Sequence, residues 1–167
     1  AIAYVPIGQS EQMFRALVCH EAVGHGFAKL DDEYTLKGMG AMPVEHKDFR
    51  RVREEYGWLR NTDVYHSPRF VKWSHLMALQ RYTSCGLGAY EGASSYASGI
   101  YRPTEQSMMN KNVGGFNPPS REAIFDRIHS LAYGAEWSYS LEEFLAYDFV
   151  NIYSDKADRL SLHSENQ

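Results

Sequence analysis

The stretch LVCHEAVGHGFAKLDDEY, residues 17–34, contains the residue types that bind a metal ion and activate water. His20 is followed directly by Glu21, and a second histidine, His25, stands five residues after the first. In the related pattern H-E-x-x-H, two histidines four residues apart bind zinc on one helix and the glutamate is a general base. The stretch here has one residue more, so both histidines reach one ion only if the helix accommodates it.

Helix geometry decides whether the two histidines converge. A regular α-helix turns about 100° per residue, so residues five apart diverge by roughly 140°. A π-type turn, in which hydrogen bonds join residues five apart, aligns such positions, and π-turns are frequent at functional sites. Gly24 has no side chain to crowd the wider turn. We therefore predict a π-turn between His20 and His25.

Three consecutive acids, Asp31, Asp32 and Glu33, follow the second histidine. A catalytic zinc ion typically takes three protein ligands and keeps a further position for water. Because these acids follow His25 by only a few residues, the chain that leaves the helix can bring one of them back to the ion. The alternative is a polar turn that ends the helix, and the spacing alone does not choose among the acids.

The surrounding sequence indicates mainly helices and an ordered loop. The site-bearing helix is predicted over residues 10–27, beginning at Ser10. The stretch 84–119 is rich in glycine, serine and proline, which is typical of a loop with one or two short strands. A further helix is predicted over 45–60, with an apolar stripe of Phe49, Val52, Tyr56 and Leu59 and a charged solvated face. One short helix is predicted within 67–82. Two more helices are predicted over 120–134, with Ser120 as the cap, and from Ser140, with Glu143 completing a capping box.

Length and composition limit the possible classes. A chain of 167 residues suits one domain, predicted over 1–167. A net charge of −4 gives no basic surface for nucleic acid, and no apolar run reaches membrane-spanning length. Cys19 and Cys85 are interpreted as free thiols. The opening segment AIAYVPI reads as a strand whose neighbours lie upstream, so we expect the chain to be a fragment, or the second half, of a catalytic domain.

The motifs HEAVGHGFAKLDDEY, YEGASSYASGIYRPTEQSMM (90–109) and FNPPSREAIFDRI (116–128) together resemble a known family. They are similar to the signature segments of the bacterial zinc metallopeptidases that include the immunoglobulin A-cleaving enzymes. Most of residues 1–130 is covered, with the motifs in the same order. Many members carry cysteines where Ser107, Asn117 and Ser120 stand, so neither a disulfide nor a second metal is expected there.

The resemblance implies an α+β fold and a zinc-dependent metalloendopeptidase. The fold would be a metzincin-like zincin catalytic domain, represented mainly by its helical, loop-rich C-terminal part with an N-terminal strand. His20 and His25 become Zn²⁺ ligands, Glu21 the general base, and Asp32 the third ligand, with Asp31 as its close competitor. The substrate would be a protein or peptide, with host glycoproteins among the candidates. A secreted, periplasmic or cell-surface location follows from the resemblance alone.

Other residues were weighed for roles around the ion. Met108 and Met109 fall where metzincin-like enzymes place a methionine turn, although gap-filling by buried methionines is an equal alternative. Tyr96 or Tyr101 is a candidate oxyanion donor, although structural tyrosines are common in ordered loops. Cys19 is interpreted as a packing residue of its helix. The remaining histidines have no ligand-like spacing and are interpreted as structural or surface residues: His46, His66, His75, His129 and His163.

Two alternative functions remain open at this point. Dipeptidyl peptidase III also has an H-E-x-x-G-H helix, but takes its third ligand from a downstream paired-glutamate motif, for which REEYGW at 53–58 is the nearest candidate. A binding module with a structural metal is the other alternative. A structural zinc normally has four protein ligands. Glu21 beside a ligand favours catalysis.

Overall fold

The computed structural model describes residues 2–151. Helix α1, Glu11–Val18, begins where the Ser10 hydroxyl accepts a hydrogen bond from the Met13 amide (3.3 Å). It continues without a break into a π-helix, Cys19–Phe27. The bond from the Ala28 amide to the Val23 carbonyl, five residues back, measures 2.9 Å. Both the helix over residues 10–27 and its π-turn were therefore predicted correctly.

Helix α2, Val44–Glu55, turns its charged face toward the interior, whereas the apolar stripe was expected there. Phe49 and Val52 are 60% and 52% exposed, whereas the charged Arg50 is only 5% exposed. The prediction of a solvated charged face was wrong at Arg50. Its guanidinium is buried because it bonds to Asp31, Ser94, Glu54 and Thr62, which replace the water that it loses.

The 67–82 stretch contains two short helices rather than one, α3 (Ser74–Met77) and α4 (Gln80–Thr83). They contribute to the largest apolar cluster, in which α3, α4 and the two C-terminal α-helices meet. Its buried members are Val71, Trp73, Leu76, Tyr82, Cys85, Leu87, Phe125 and Phe144. Neither Cys19 nor Cys85 takes part in a disulfide within the described residues.

The loop-like region contains a hairpin of two antiparallel strands, β1 (Tyr90–Ala93) and β2 (Tyr96–Arg102). Tyr90 pairs with Arg102, and the register shifts between Glu91 and Ala93, where a bulge lies. The segment after the π-helix lies parallel to the hairpin, with a bridge between Thr35 and Ser95. The short strands predicted within 84–119 are thus present, and they lie against the segment that carries the three acids.

Three α-helices follow: α5 (Met108–Lys111), α6 (Pro118–Tyr133) and α7 (Leu141–Tyr147), with a 3₁₀ turn, Gly134–Glu136, between the last two. The cap of α6 is Asn117, not Ser120 as predicted: its side-chain oxygen accepts from the Ser120 amide at 3.2 Å. Two prolines follow it at the first helical positions, where they need no amide donor. Ser140 caps α7 as predicted, accepting from the Glu143 amide.

The predicted N-terminal strand is not formed. Residues 2–7 have no strand partner among the described residues, and Ile2, Tyr4 and Ile7 are exposed. A strand needs a neighbour to satisfy its backbone groups, and the nearest sheet consists of β1 and β2 alone. Mixed helices with a small two-stranded sheet agree with the α+β class.

None of the helices in residues 2–151 is long and apolar enough to cross a membrane.

Candidate metal centre

Three side chains, His20, His25 and Asp32, converge on one point. The two Nε2 atoms lie 3.2 Å apart, and each is 3.1 Å from Oδ1 of Asp32. They are the one group of three or more potential metal ligands found in the described part of the chain. Tetrahedral zinc with bonds of about 2.0 Å requires ligand atoms roughly 3.3 Å apart, which is close to the separations here. The donor set therefore fits a zinc ion.

The remaining ring nitrogens fix the tautomers of both histidines. Nδ1 of His20 donates to the Met108 carbonyl and Nδ1 of His25 to the Leu30 carbonyl, each at 2.9 Å. A carbonyl only accepts, so in the neutral rings each Nε2 carries a lone pair. Such contacts from a metal-binding histidine to a carbonyl are typical, and they orient the ring. Two lone pairs and a carboxylate oxygen face one another, which requires a positive charge between them.

Protons meet this requirement when no metal is present. Burial opposes the charged form of His25, but the hydrogen bonds to Asp32 and Leu30 outweigh it and raise the pKa of His25 to about 9. The pKa of His20 is raised in the same way against its own burial. Burial likewise opposes the charged form of Asp32, yet its two histidine partners hold the pKa of this carboxyl well below its usual range. The site thus favours a cation, whether protons or a metal ion.

The path of the chain explains why Asp32, and not Asp31, faces the histidines. After the π-helix the backbone turns at Lys29, whose φ is 57°, and then lies extended beside the hairpin. Successive side chains of an extended segment point to opposite sides. Asp32 and Tyr34 therefore face the histidines, and Asp31 and Glu33 face the interior.

Asp31 is engaged elsewhere. Its Oδ2 accepts from Arg50, from Ser94 and from Thr62 (2.7 Å to Thr62 Oγ1). The ion pair with Arg50 is largely buried. Asp31 is thus a structural partner of helix α2 and does not reach the histidines.

Glu33 is fully buried and belongs to a third group of contacts. Its carboxylate accepts from Asn61 (2.8 Å), Ser107 (2.6 Å) and Asn117 (2.8 and 2.9 Å). Two of these donors, Ser107 and Asn117, stand at positions where many members of the family that the motifs resemble carry cysteines, and no sequence pattern indicates that they converge on this acid. Here the three consecutive acids have three different sets of partners.

Glu21, the predicted general base, lies next to the two histidines. Its negative charge helps to raise the pKa of His25 and of Tyr34. The Glu21 carboxylate makes no hydrogen bond to any residue that the structure describes. It is therefore not held by a structural partner within residues 2–151.

Tyr34 is a neighbour of the site that the sequence analysis missed. Its ring stacks on that of His20, with centroids 6.4 Å apart and an interplanar angle of 29°. Burial and the charge of Asp32 raise the pKa of Tyr34 to about 12, so its phenol remains protonated. The signal that could have identified Tyr34 is the alternation of side chains along the extended segment 31–34, which puts Tyr34 on the same side as Asp32.

The tyrosines that were considered as oxyanion donors have other partners. The hydroxyl of Tyr96 bonds to His46, and that of Tyr101 donates to Glu91 at 3.3 Å. The expected structural role of the remaining histidines agrees with two further contacts: His75 bonds to Glu122, and His129 stacks on Trp137. His163 lies outside the described residues.

Met109 packs against the π-helix from the interior side. It is fully buried, and a Cβ placed on Gly24 would lie 2.3 Å from its sulfur. The preceding carbonyl, of Met108, is the acceptor for His20. The two methionines therefore have separate roles, one in packing and one in orienting a ring.

Glu54, in the segment that the dipeptidyl peptidase III alternative requires, does not approach the histidines. Its carboxylate pairs with Lys72 (2.6 Å) and Arg50 (3.2 Å). The third position beside His20 and His25 is taken by Asp32 instead.

Comparison with protein families gives a partial match: the family described as IgA peptidase M64 matches residues 77–128. The match indicates a peptidase. It covers less than half of the chain and includes none of His20, His25 and Asp32, but it does include Met108, whose carbonyl orients His20. The matched segment thus contacts the converging histidines through the Met108 carbonyl. No curated protein matches the chain.

Proposed function

We propose that the chain is a zinc-dependent metalloendopeptidase, with His20, His25 and Asp32 as the zinc ligands and Glu21 as the general base. The observation that carries the proposal is the convergence of two imidazole lone pairs and a carboxylate oxygen. The family match to residues 77–128 supports the class of reaction. The substrate is accordingly a protein or peptide, and a location outside the cytoplasm forms part of the proposal.

Each residue has a separate part in the reaction. Met108 and Leu30 hold the imidazoles with Nε2 toward the ion. A zinc ion held by His20, His25 and Asp32 would supply a Lewis acid that acidifies water and polarises the scissile carbonyl. Glu21 would accept a proton from the attacking water and pass it to the leaving amine, which is the role of a general base placed next to a metal ligand.

Three protein ligands distinguish this proposal from a structural metal site. A structural zinc is normally closed by four protein ligands, whereas three leave a position for water. Within residues 2–151, His20, His25 and Asp32 form the candidate group, and no fourth histidine, cysteine, aspartate or glutamate joins it. The number of ligands therefore favours catalysis over a metal-containing binding module.

The decisive experiment is Glu21→Gln on the zinc-loaded protein, with cleavage of an unstructured protein and zinc content both measured. The amide cannot accept the proton, so turnover should fall by about 100- to 10,000-fold. Zinc content should stay near one ion per chain. Wild-type turnover in the variant would contradict the role of Glu21, and zinc binding without chelator-sensitive cleavage in the wild type would favour a binding module.

The type of cleavage is tested on the same protein. An endopeptidase cuts a peptide whose N-terminus is acetylated, whereas a dipeptidyl peptidase needs the free amine. We expect the acetylated and free peptides to be cut at the same internal bonds. Cleavage of dipeptides from the free peptide alone would support the dipeptidyl peptidase alternative.

A further inference from the structure

Glu33 carries an ionisable group in the interior, next to Asp32. All of its polar contacts are with groups that belong to other segments: Asn61 before α3, Ser107 before α5, and Asn117 at the start of α6. Its amide also donates to the Met109 carbonyl at 2.8 Å. Glu33 therefore joins the extended segment 31–34 to three distant parts of the chain.

The contacts of Glu33 enclose Met108 from both sides. The Ser107 hydroxyl bonds to the Glu33 carboxylate and the Met109 carbonyl to the Glu33 amide, so both neighbours of Met108 are held. The Met108 carbonyl between them accepts from His20. On the other side of Glu33, Asp32 is directly bonded in the chain and faces the same histidine.

Energetics indicate that this carboxylate does more than fill space. The Glu33 side chain is fully buried, and its carboxylate accepts hydrogen bonds from Ser107, Asn61 and Asn117. Burying such a group is costly compared with apolar packing. A buried polar network whose members are all satisfied fixes one arrangement of the segments around it.

We propose that Glu33 is a positioning residue of the candidate metal centre: its carboxylate and amide fix the Met108 carbonyl relative to Asp32, so that His20 and Asp32 meet at the ion. The inference rests on the proposed zinc-binding role of His20, His25 and Asp32. Glu33 does not touch the ligand atoms itself. It acts through Ser107 and Met109 on one side and through the main chain on the other.

The test measures Zn²⁺ affinity by chelator competition and the visible absorption spectrum of bound Co²⁺, on the folded chain. Glu33→Ala should weaken zinc binding by about 10- to 100-fold, as is typical when a group that orients a ligand is lost. The Co²⁺ spectrum should change, because the ligand geometry is altered. Glu33→Gln, whose amide still accepts from the asparagines and donates to the Ser107 hydroxyl, should restore most of the affinity.

A second variant and a control separate positioning from stability. Ser107→Ala removes one contact and should reproduce part of the loss even if Glu33→Ala fails to fold. Asp148→Asn alters another fully buried carboxylate, which accepts from Tyr82 and Arg121. It should lower the free energy of unfolding without changing zinc affinity or the Co²⁺ spectrum.

Different results would overturn the positioning role of Glu33 and the proposed zinc site. Wild-type affinity and an unchanged Co²⁺ spectrum in Ser107→Ala and in folded Glu33→Ala would overturn the positioning role alone. So would an equal loss of affinity in Asp148→Asn. If the wild-type chain does not bind zinc, the proposed function and this inference are both overturned. The same holds if His25→Ala binds zinc as tightly as the wild type.

Discussion

At Asp31 and Asp32, two neighbouring carboxylates have different partners because the chain between them is extended. Asp32 faces two imidazoles, and Asp31 faces the buried guanidinium of Arg50. Replacing either with asparagine removes one negative charge and almost no volume. The pair therefore forms a matched comparison of a candidate ligand with a structural residue.

We expect Asp32→Asn to weaken zinc affinity by more than about 100-fold, because removal of a ligand should exceed the 10- to 100-fold cost of losing an orienting partner. Asp31→Asn should keep most of the affinity. It should instead lower the free energy of unfolding by about 1–3 kcal/mol, since the buried Arg50 loses its closer carboxylate and keeps only Glu54 as an ion-pair partner. Chelator competition and urea denaturation measure the two effects, and a large affinity loss confined to Asp31→Asn would show that the wrong neighbour was chosen.

At the scale of elements, the π-helix depends on a close contact with the interior. Gly24 lies against Met109 so tightly that a Cβ would overlap the sulfur. Gly40, by contrast, has nothing within 4 Å of its Cβ position and no positive φ. The first glycine is therefore required by packing, and the second is not.

Gly24→Ala should lower the free energy of unfolding by about 1–3 kcal/mol, the usual cost of overpacking a buried contact. Gly40→Ala is the control and should be neutral or stabilising by up to about 1 kcal/mol, because it restricts the unfolded chain. Denaturant midpoints at constant slope measure both. Equal stability of the two variants would mean that Met109 moves aside without cost.

Sequence reasoning succeeded where a local spacing demanded one geometry. The five-residue separation of His20 and His25 has no solution in a regular helix, so the π-turn followed from it. The spacing could not decide between Asp31 and Asp32. Which of the two faces the histidines depends on the left-handed turn at Lys29 and on the direction of the chain after it. The position of Asp32 beside the histidines agrees with the family resemblance, and its role as a ligand stays a prediction.

Other elements depended on distant partners. The periodicity of α2 identified its two faces, but Arg50 is buried through contacts with residues far along the chain, such as Thr62 and Ser94. The opening segment has strand-like residues without a strand to pair with in the described structure. The cap at Asn117 was readable, since an asparagine before two prolines is a strong helix start.

For the molecule as a whole, a bound ion would join the π-helix to the segment that follows it. A ligand that binds only the folded state stabilises it by about 4 kcal/mol at a thousandfold excess over its Kd. For a chain of this size each kcal/mol raises Tm by about 2–4 °C, so zinc should raise Tm by roughly 8–16 °C relative to chelated protein. Thermal unfolding followed by circular dichroism measures the shift.

His25→Ala is the matched control for that experiment, because it removes one candidate ligand from the partly exposed side of the site. Its Tm should be the same with zinc and with chelator. An equal zinc-dependent rise in the variant would place the stabilising ion elsewhere on the protein.

The order of residues along the chain also has a consequence for biosynthesis. The candidate ligands lie within one short stretch, whereas the carbonyl that orients His20 comes 88 residues later in the chain. A growing polypeptide thus exposes the groups that capture an ion well before it contains the group that sets their orientation. An ion acquired at that stage would be held loosely by a flexible chelate. It would become firmly bound only when Met108 has been synthesised and has docked against the π-helix.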